Sequence, residues 1–177
     1  GRRGALMLSM DIAHPDVKNF ITIKQDLQKV TGANISIRLS DEFMKAVENN
    51  TEYTHRWPID SDTPKFSKTI NAKELWGTII QCAHNTAEPG LIFWDKQHWY
   101  STSSVYPEYK NASTNPCSEI AMQGGDSCRL IAINLFNFVE NPFTKDAKFL
   151  MEDFYKVTYE GQRLMDDLVD LETEAIG

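Results

Sequence analysis

Long apolar runs, positive charge and cysteine are scarce in these 177 residues, and each scarcity removes a class of function. No apolar run approaches the roughly 20 residues that cross a bilayer. The start, Gly1-Arg2-Arg3-Gly4, has neither an initiator methionine nor the apolar stretch of a secretion signal. The sequence therefore predicts a cytoplasmic chain, cut from something longer, with no membrane partner. Lys and Arg number 18 against 25 Asp and Glu, a formal charge of -7. Such a balance offers no basic face to a nucleic-acid backbone, and nucleic acid is not an expected partner. The three cysteines cannot all pair within the chain, which in a reducing compartment favours catalytic or buried thiols over a disulfide framework. Metal-ligand spacing is absent too. Cys117 and Cys128 belong to no close pair, no histidine lies near them, and His14 has no second ligand on its helix face, so no metal site is expected. With no internal repeat, low-complexity segment or linker, residues 1–177 read as one domain region without separate domains.

What is present alternates strand and helix. Leu6 to Ile12 is apolar enough for a buried strand, and His14-Pro15-Asp16 starts a helix with Val17, Phe20, Ile21 and Leu27 on one face. Ile35, Ile37 and Leu39 alternate with Ser36 and Arg38, predicting a strand with two unlike faces. Ser40 caps a helix carrying Phe43, Ala46 and Val47, which Asn49-Asn50 ends. Asn50 to Ile70 reads as a long ordered loop. Asn71 and Glu74 form a capping-box-like start to a helix with Leu75, Ile79, Cys82 and Ala83 inward, so Cys82 is expected in the core. After Glu88-Pro89-Gly90, Leu91 to Trp94 suits a strand buried on both faces, and Asp95 to Ser113 reads as irregular. Cys128 to Val139 predicts a strand or strand-plus-turn. Lys148 to Leu171 predicts one long helix with Phe154, Val157, Leu164, Leu168 and Leu171 inward. This alternation favours an α/β fold with a largely parallel sheet.

The chemistry concentrates in Asn115-Pro116-Cys117-Ser118-Glu119, with Cys128 eleven residues beyond the first cysteine. Asn115-Pro116 favours a turn, placing Cys117 on a loop where its sulfur can face a cavity. An amide and a carboxylate two residues to either side supply an orienting group and a proton acceptor. Gly124-Gly125 is a reversal that could bring the two sulfurs together for a reversible disulfide. Residue types alone favour a structural reading in which Cys117 and Cys128 are small buried hydrophobes, Asn115 forms a turn and Glu119 is solvated. A cysteine hydrolase stays open as well, with an imidazole to be brought from His14, His55, His84 or His98.

Taken in order, the segments Gly1 to Met7, His14-Pro15-Asp16, Ala33 to Ser36, Asp41 to Met44, Glu88 to Phe93, Asn115-Pro116-Cys117 with Glu119, Ser127-Cys128 and Met165-Asp166-Asp167 resemble the catalytic subunit of ribonucleotide reductases. The similarity is greatest to the adenosylcobalamin-dependent class. The resemblance implies that the chain is an internal fragment, residues 1–177, of a ten-stranded α/β barrel. It implies a thiyl radical on Cys117, a base in Glu119, substrate orientation by Asn115 and a redox role for Cys128, whose partner thiol lies upstream. Arg2 matches the end of a substrate and effector loop. The implied ligands are ribonucleoside di- or triphosphates, effector nucleotides and adenosylcobalamin, the last bound mostly outside these residues. A thioredoxin-like or glutaredoxin-like reductant and a homodimeric parent also follow, and the fragment alone is expected to be inactive. The alternative is a non-catalytic α/β nucleotide-binding or regulatory module on the same scaffold. Ser118 departs from the pattern, standing where glycine is usual, and Asp95 to Ser113 matches poorly.

Overall fold

The computed structural model describes residues 4–176, so the expectation for Arg2 lies outside the described residues. They divide into two compact units, residues 4–126 and residues 127–176. No helix among them is long and apolar enough to cross a membrane.

The first unit is built on three parallel strands, β1 (Met7–Asp11), β2 (Asn34–Leu39) and β5 (Gly90–Phe93), in the order β1-β2-β5. Parallel neighbours need crossover helices. These are α1 (Val17–Thr22) before β2, and α2 (Asp41–Glu48) and α3 (Ala72–Thr86) before β5. The sheet is open, with β1 and β5 at its edges. One face carries Ile37 and Leu39, which pack with Val17, Ile21, Phe43, Leu75, Ile79 and Cys82 in the core. The other presents Ser36 and Arg38, the latter with its guanidinium 5.1 Å from the Trp94 ring centroid. The two unlike faces expected of this strand are therefore observed.

Local chemistry sets the helix starts as expected. Ser40 Oγ accepts from Phe43 N at 3.1 Å, and Asn71 Oδ1 accepts from Glu74 N at 2.9 Å. His14 is a helix-start residue, its Nδ1 accepting from Asp16 N at 3.1 Å. The helix from Ala72 ends at Ala87, which takes the left-handed conformation at φ 60.

Several expectations are corrected. The supposed loop Asn50 to Ile70 holds an antiparallel hairpin, β3 (Glu52–Trp57) with β4 (Phe66–Asn71). Tyr53 and His55 point inward with a period of two, but the polar residues between them disguised it. Leu27 lies beyond α1, after a 3₁₀ turn at Ile23–Gln25, and is 74% exposed. β1 is not the buried strand expected and β5 is not buried on both faces, because the layer of the first unit that packs on Ile37 and Leu39 does not reach over Leu8 and Phe93, which are exposed. Within the supposedly irregular Asp95 to Ser113, α4 (Trp94–Tyr100) forms and two 3₁₀ turns follow. A short antiparallel pair, β6 (Ser113–Thr114) with β7 (Ala121–Met122), completes this unit.

Among the described residues of the second unit, 128–138 form no ladder, and the pairing is between β8 (Val139–Glu140) and β9 (Lys148–Phe149). The long helix is α5 (Met151–Ile176). Phe138, Phe149 and Phe154 cluster at its start, with ring centroids 5.5 to 6.3 Å apart. Farther along, Val157, Leu164, Leu168 and Leu171, expected inward, are exposed. A periodic apolar stripe identifies a helix but not whether a second layer within the same chain covers it.

Candidate functional site

The Asn115–Ile120 loop is closed by its own residues. Asn115 N donates to the Ile120 carbonyl at 3.1 Å, and Ile120 N donates to Asn115 Oδ1 at 3.0 Å. Inside that bracket, Ser118 N donates to the Asn115 carbonyl at 3.0 Å, forming a turn with Pro116 at its second position, where the ring's fixed φ suits it. The Asn115 side chain thus spends its oxygen on holding the loop, and its amide donors remain for other partners. Ser118 follows Cys117 with φ 69, in the left-handed region that glycine tolerates best. Thr114 Oγ1 lies 3.4 Å from Ser118 Oγ and 2.9 Å from the Asn115 carbonyl, to which it donates.

Two cavities flank this loop. One, of about 330 Å³, is bounded by Asn34, Ile35 and Ser36 of β2, by Ala87, Glu88 and Gly90 at the start of β5, and by Pro116, Cys117 and Ser118. Cys117 is exposed, as expected of a thiol on a loop, and borders this cavity. No histidine lines it, which leaves Cys117 without the imidazole a cysteine hydrolase needs there. The other cavity, of about 570 Å³, lies toward the C-terminal end of β5 and is lined by Ile92 and Phe93, by Lys96 and Tyr100 of α4, and by Ser118 and Glu119. The structure therefore brings Asn115, Cys117 and Glu119 into one loop but sets Cys117 and Glu119 on the linings of neighbouring cavities, with Ser118 lining both.

An electrostatic clasp fixes one wall of the Cys117 cavity. Glu88 Oε1 accepts from Ile35 N at 2.8 Å, and its Oε2 pairs with Lys24 Nζ, which also donates to the Ala33 carbonyl. Lys24 and Glu88 are both largely buried, so their charges need each other. Directly across the sheet, Ser36 pairs with Gly90, and a Cβ built on Gly90 would stand 2.8 Å from Ser36 Oγ. Ser36, Glu88 and Gly90 carried no assigned chemistry in the sequence. The signal was there all the same, in the matched segments Ala33 to Ser36 and Glu88 to Phe93.

Cys128 belongs to the second unit and is exposed. Its backbone is tied to α5: Arg129 Nη1 donates to the Cys128 carbonyl at 3.3 Å, and Arg129 Nη2 pairs with Glu172 Oε2. Ser127 Oγ donates to the same carboxylate at 3.0 Å. Cys82, in the core, is the third thiol, and burial pushes its pKa up, which suits an inert side chain. In the hairpin, burial lowers the His55 pKa and raises that of Tyr53 to about 12.

The sequence matches the family described as ribonucleotide reductase, barrel domain, over residues 1–176. Among curated relatives, a vitamin B12-dependent ribonucleoside-diphosphate reductase from Thermoplasma acidophilum is 35% identical over 170 residues, covering 96% of this chain and 21% of its own length. The Mycobacterium tuberculosis protein of the same description is 31% identical over 171 residues, covering 96% of this chain and 23% of its own. A vitamin B12-dependent ribonucleotide reductase from Rhodopirellula baltica is 30% identical, covering 99% of this chain and 19% of its own length. The chain thus spans about a fifth of the length of these relatives. A match running through the whole sequence, together with an α/β unit that presents a cysteine loop beside its parallel strands, leads to one conclusion: the chain belongs to the ribonucleotide reductase barrel-domain family.

Proposed function

We propose that the full-length protein reduces ribonucleotides to deoxyribonucleotides, and that this chain supplies the radical cysteine of a ten-stranded barrel. The observation that carries this reading is convergence. Segments around residues 34–36, 87–90 and 116–118, far apart in sequence, bound a single cavity at the Cys117 thiol.

Cys117, as a thiyl radical, takes the hydrogen from the ribose 3' carbon and becomes a thiol. Glu119 accepts the 3'-hydroxyl proton, which drives loss of the 2'-hydroxyl as water. Cys128 and a second thiol outside this chain give two electrons and two protons and close into a disulfide, one proton leaving in that water and the other ending on the 2' carbon, while Glu119 returns its proton to the 3' oxygen. The 3' carbon takes its hydrogen back from Cys117, regenerating the thiyl radical. For one ribose to meet both groups it must lie over Ser118, the residue common to the two cavities. The Asn115 amide donors are oriented for this by the bond that holds their oxygen to Ile120 N.

The relatives' descriptions name vitamin B12, and the cavity at Cys117 has room for a nucleoside-sized group, with polar lining from Asn34 and Ser36. Adenosylcobalamin, when bound, supplies the radical that Cys117 carries. Arg2 would end the loop that responds to effector nucleotides, and a thioredoxin-like or glutaredoxin-like protein would reopen the disulfide.

In the full-length protein, Cys117→Ser is expected to abolish deoxynucleotide formation while nucleotide binding persists. Cys128→Ser is expected to stop multiple turnover with a dithiol. Ordinary steady-state turnover by Cys117→Ser would refute the reading.

A further inference from the structure

We propose that Ser36 is a ribose-binding residue of the Cys117 cavity, its hydroxyl bonding a hydroxyl of the nucleoside that enters there. This rests on the functional reading above.

Ser36 is 5% exposed, lies on the polar face of β2, and lines the cavity shared with Cys117. A hydroxyl that borders a cavity from an otherwise buried strand is placed to bond a ligand that enters there. Its position is held from two sides. The Glu88 carboxylate bonds Ile35 N, the residue just before it, and the clasp with Lys24 keeps that carboxylate in place. On the neighbouring strand, position 90 is glycine, and any Cβ there would come within 2.8 Å of Ser36 Oγ and push the hydroxyl aside. A glycine directly opposite therefore keeps both the cavity and the hydroxyl accessible.

A lone hydroxyl suits a neutral vicinal diol and would do little for a phosphate, which calls for cations or several N–H donors. Two nucleosides have that diol, the ribonucleotide substrate and the adenosyl group of the cofactor. Binding measurements separate them. In the full-length protein, equilibrium dialysis would compare Ser36→Ala with the unsubstituted protein for a ribonucleoside diphosphate, for adenosylcobalamin, and for methylcobalamin, which lacks the adenosyl group and its vicinal diol. Loss of one hydrogen bond is expected to weaken one of the first two ligands about 3- to 10-fold and to leave methylcobalamin unchanged. Whichever ligand shifts identifies the source of the ribose. Ser36→Cys keeps the shape with a poor donor and should reproduce the shift if the alanine variant folds badly.

Unchanged affinity for both ribose-bearing ligands, or an equal loss for methylcobalamin, would overturn the assignment to Ser36 alone. If the unsubstituted protein binds none of the three, the reductase reading falls and this inference with it. Because binding is measured, the outcome does not depend on Cys117 carrying a radical.

Discussion

Gly90→Ala is the substitution whose sign the structure decides most sharply. A glycine inside a strand is ordinarily a liability, and replacing it with alanine at a compatible φ gains about 0.5–1 kcal/mol by restricting the unfolded chain. Gly90 has no left-handed backbone to defend, so on that ground alone alanine should stabilise. Opposing this, the new Cβ would meet Ser36 Oγ at 2.8 Å, closer than packed atoms tolerate, so the serine hydroxyl or the strand itself must give way. Overpacking of this kind costs about 1–3 kcal/mol, so the single variant should be destabilised by up to about 2 kcal/mol. Removing the hydroxyl leaves Ser36 Cβ, at 3.8 Å, as the nearest side-chain atom, an ordinary contact. In the Ser36→Ala background Gly90→Ala should therefore become stabilising, with a coupling energy of about 1–3 kcal/mol between the two positions. Native-state hydrogen exchange at the β2 and β5 amides reads the opening free energy of these strands and suits a cycle of four proteins. Additive effects, or a stabilised single variant, would refute the contact.

Other expectations follow from the same neighbourhood and from the hairpin. Glu88→Ala strips Lys24 and Ile35 N of a shared partner and should cost about 2–3 kcal/mol by urea unfolding, with Glu88→Gln costing less because it can still accept from Ile35 N; a loss below about 0.5 kcal/mol for alanine would show the clasp to be incidental. For His55, burial lowers the folded-state pKa below that of the unfolded chain, with Lys68 and His14 adding to the shift. Its contribution is thus fully present above a pH of about 6.5 and is lost as pH falls through the window between the unfolded and folded pKa. His55→Phe should flatten the stability profile between pH 7 and 5, and an unchanged slope would exclude His55 as its source.

How much was legible in the sequence depended on where the deciding partner lay. The helix starts at Ser40 and Asn71 were readable because the capping bond spans three residues, and Cys82 was readable as core because its period lies within one helix. The β3–β4 hairpin was hidden because Thr54, Arg56 and Lys68 made its outward face look like loop. The exposure of β1, β5 and the α5 stripe was beyond local pattern, since burial there depends on whether another layer covers each surface. In the candidate site, Asn115, Cys117 and Glu119 stood out through residue type and spacing. Ser36 and Gly90 did not, because a serine in a strand and a glycine after a proline gain meaning only when the parallel register sets them face to face.

Ser118 makes the loop a pivot. The thiol hangs on one side of this residue and the carboxylate on the other, so its two backbone torsions set the separation between the group proposed to move a hydrogen atom and the group proposed to move a proton. In the left-handed well, a serine has a narrower range of torsions than glycine would have. The departure from the usual glycine therefore works as a stop on a hinge, fixing the angle between two chemistries proposed to act on adjacent atoms of one sugar.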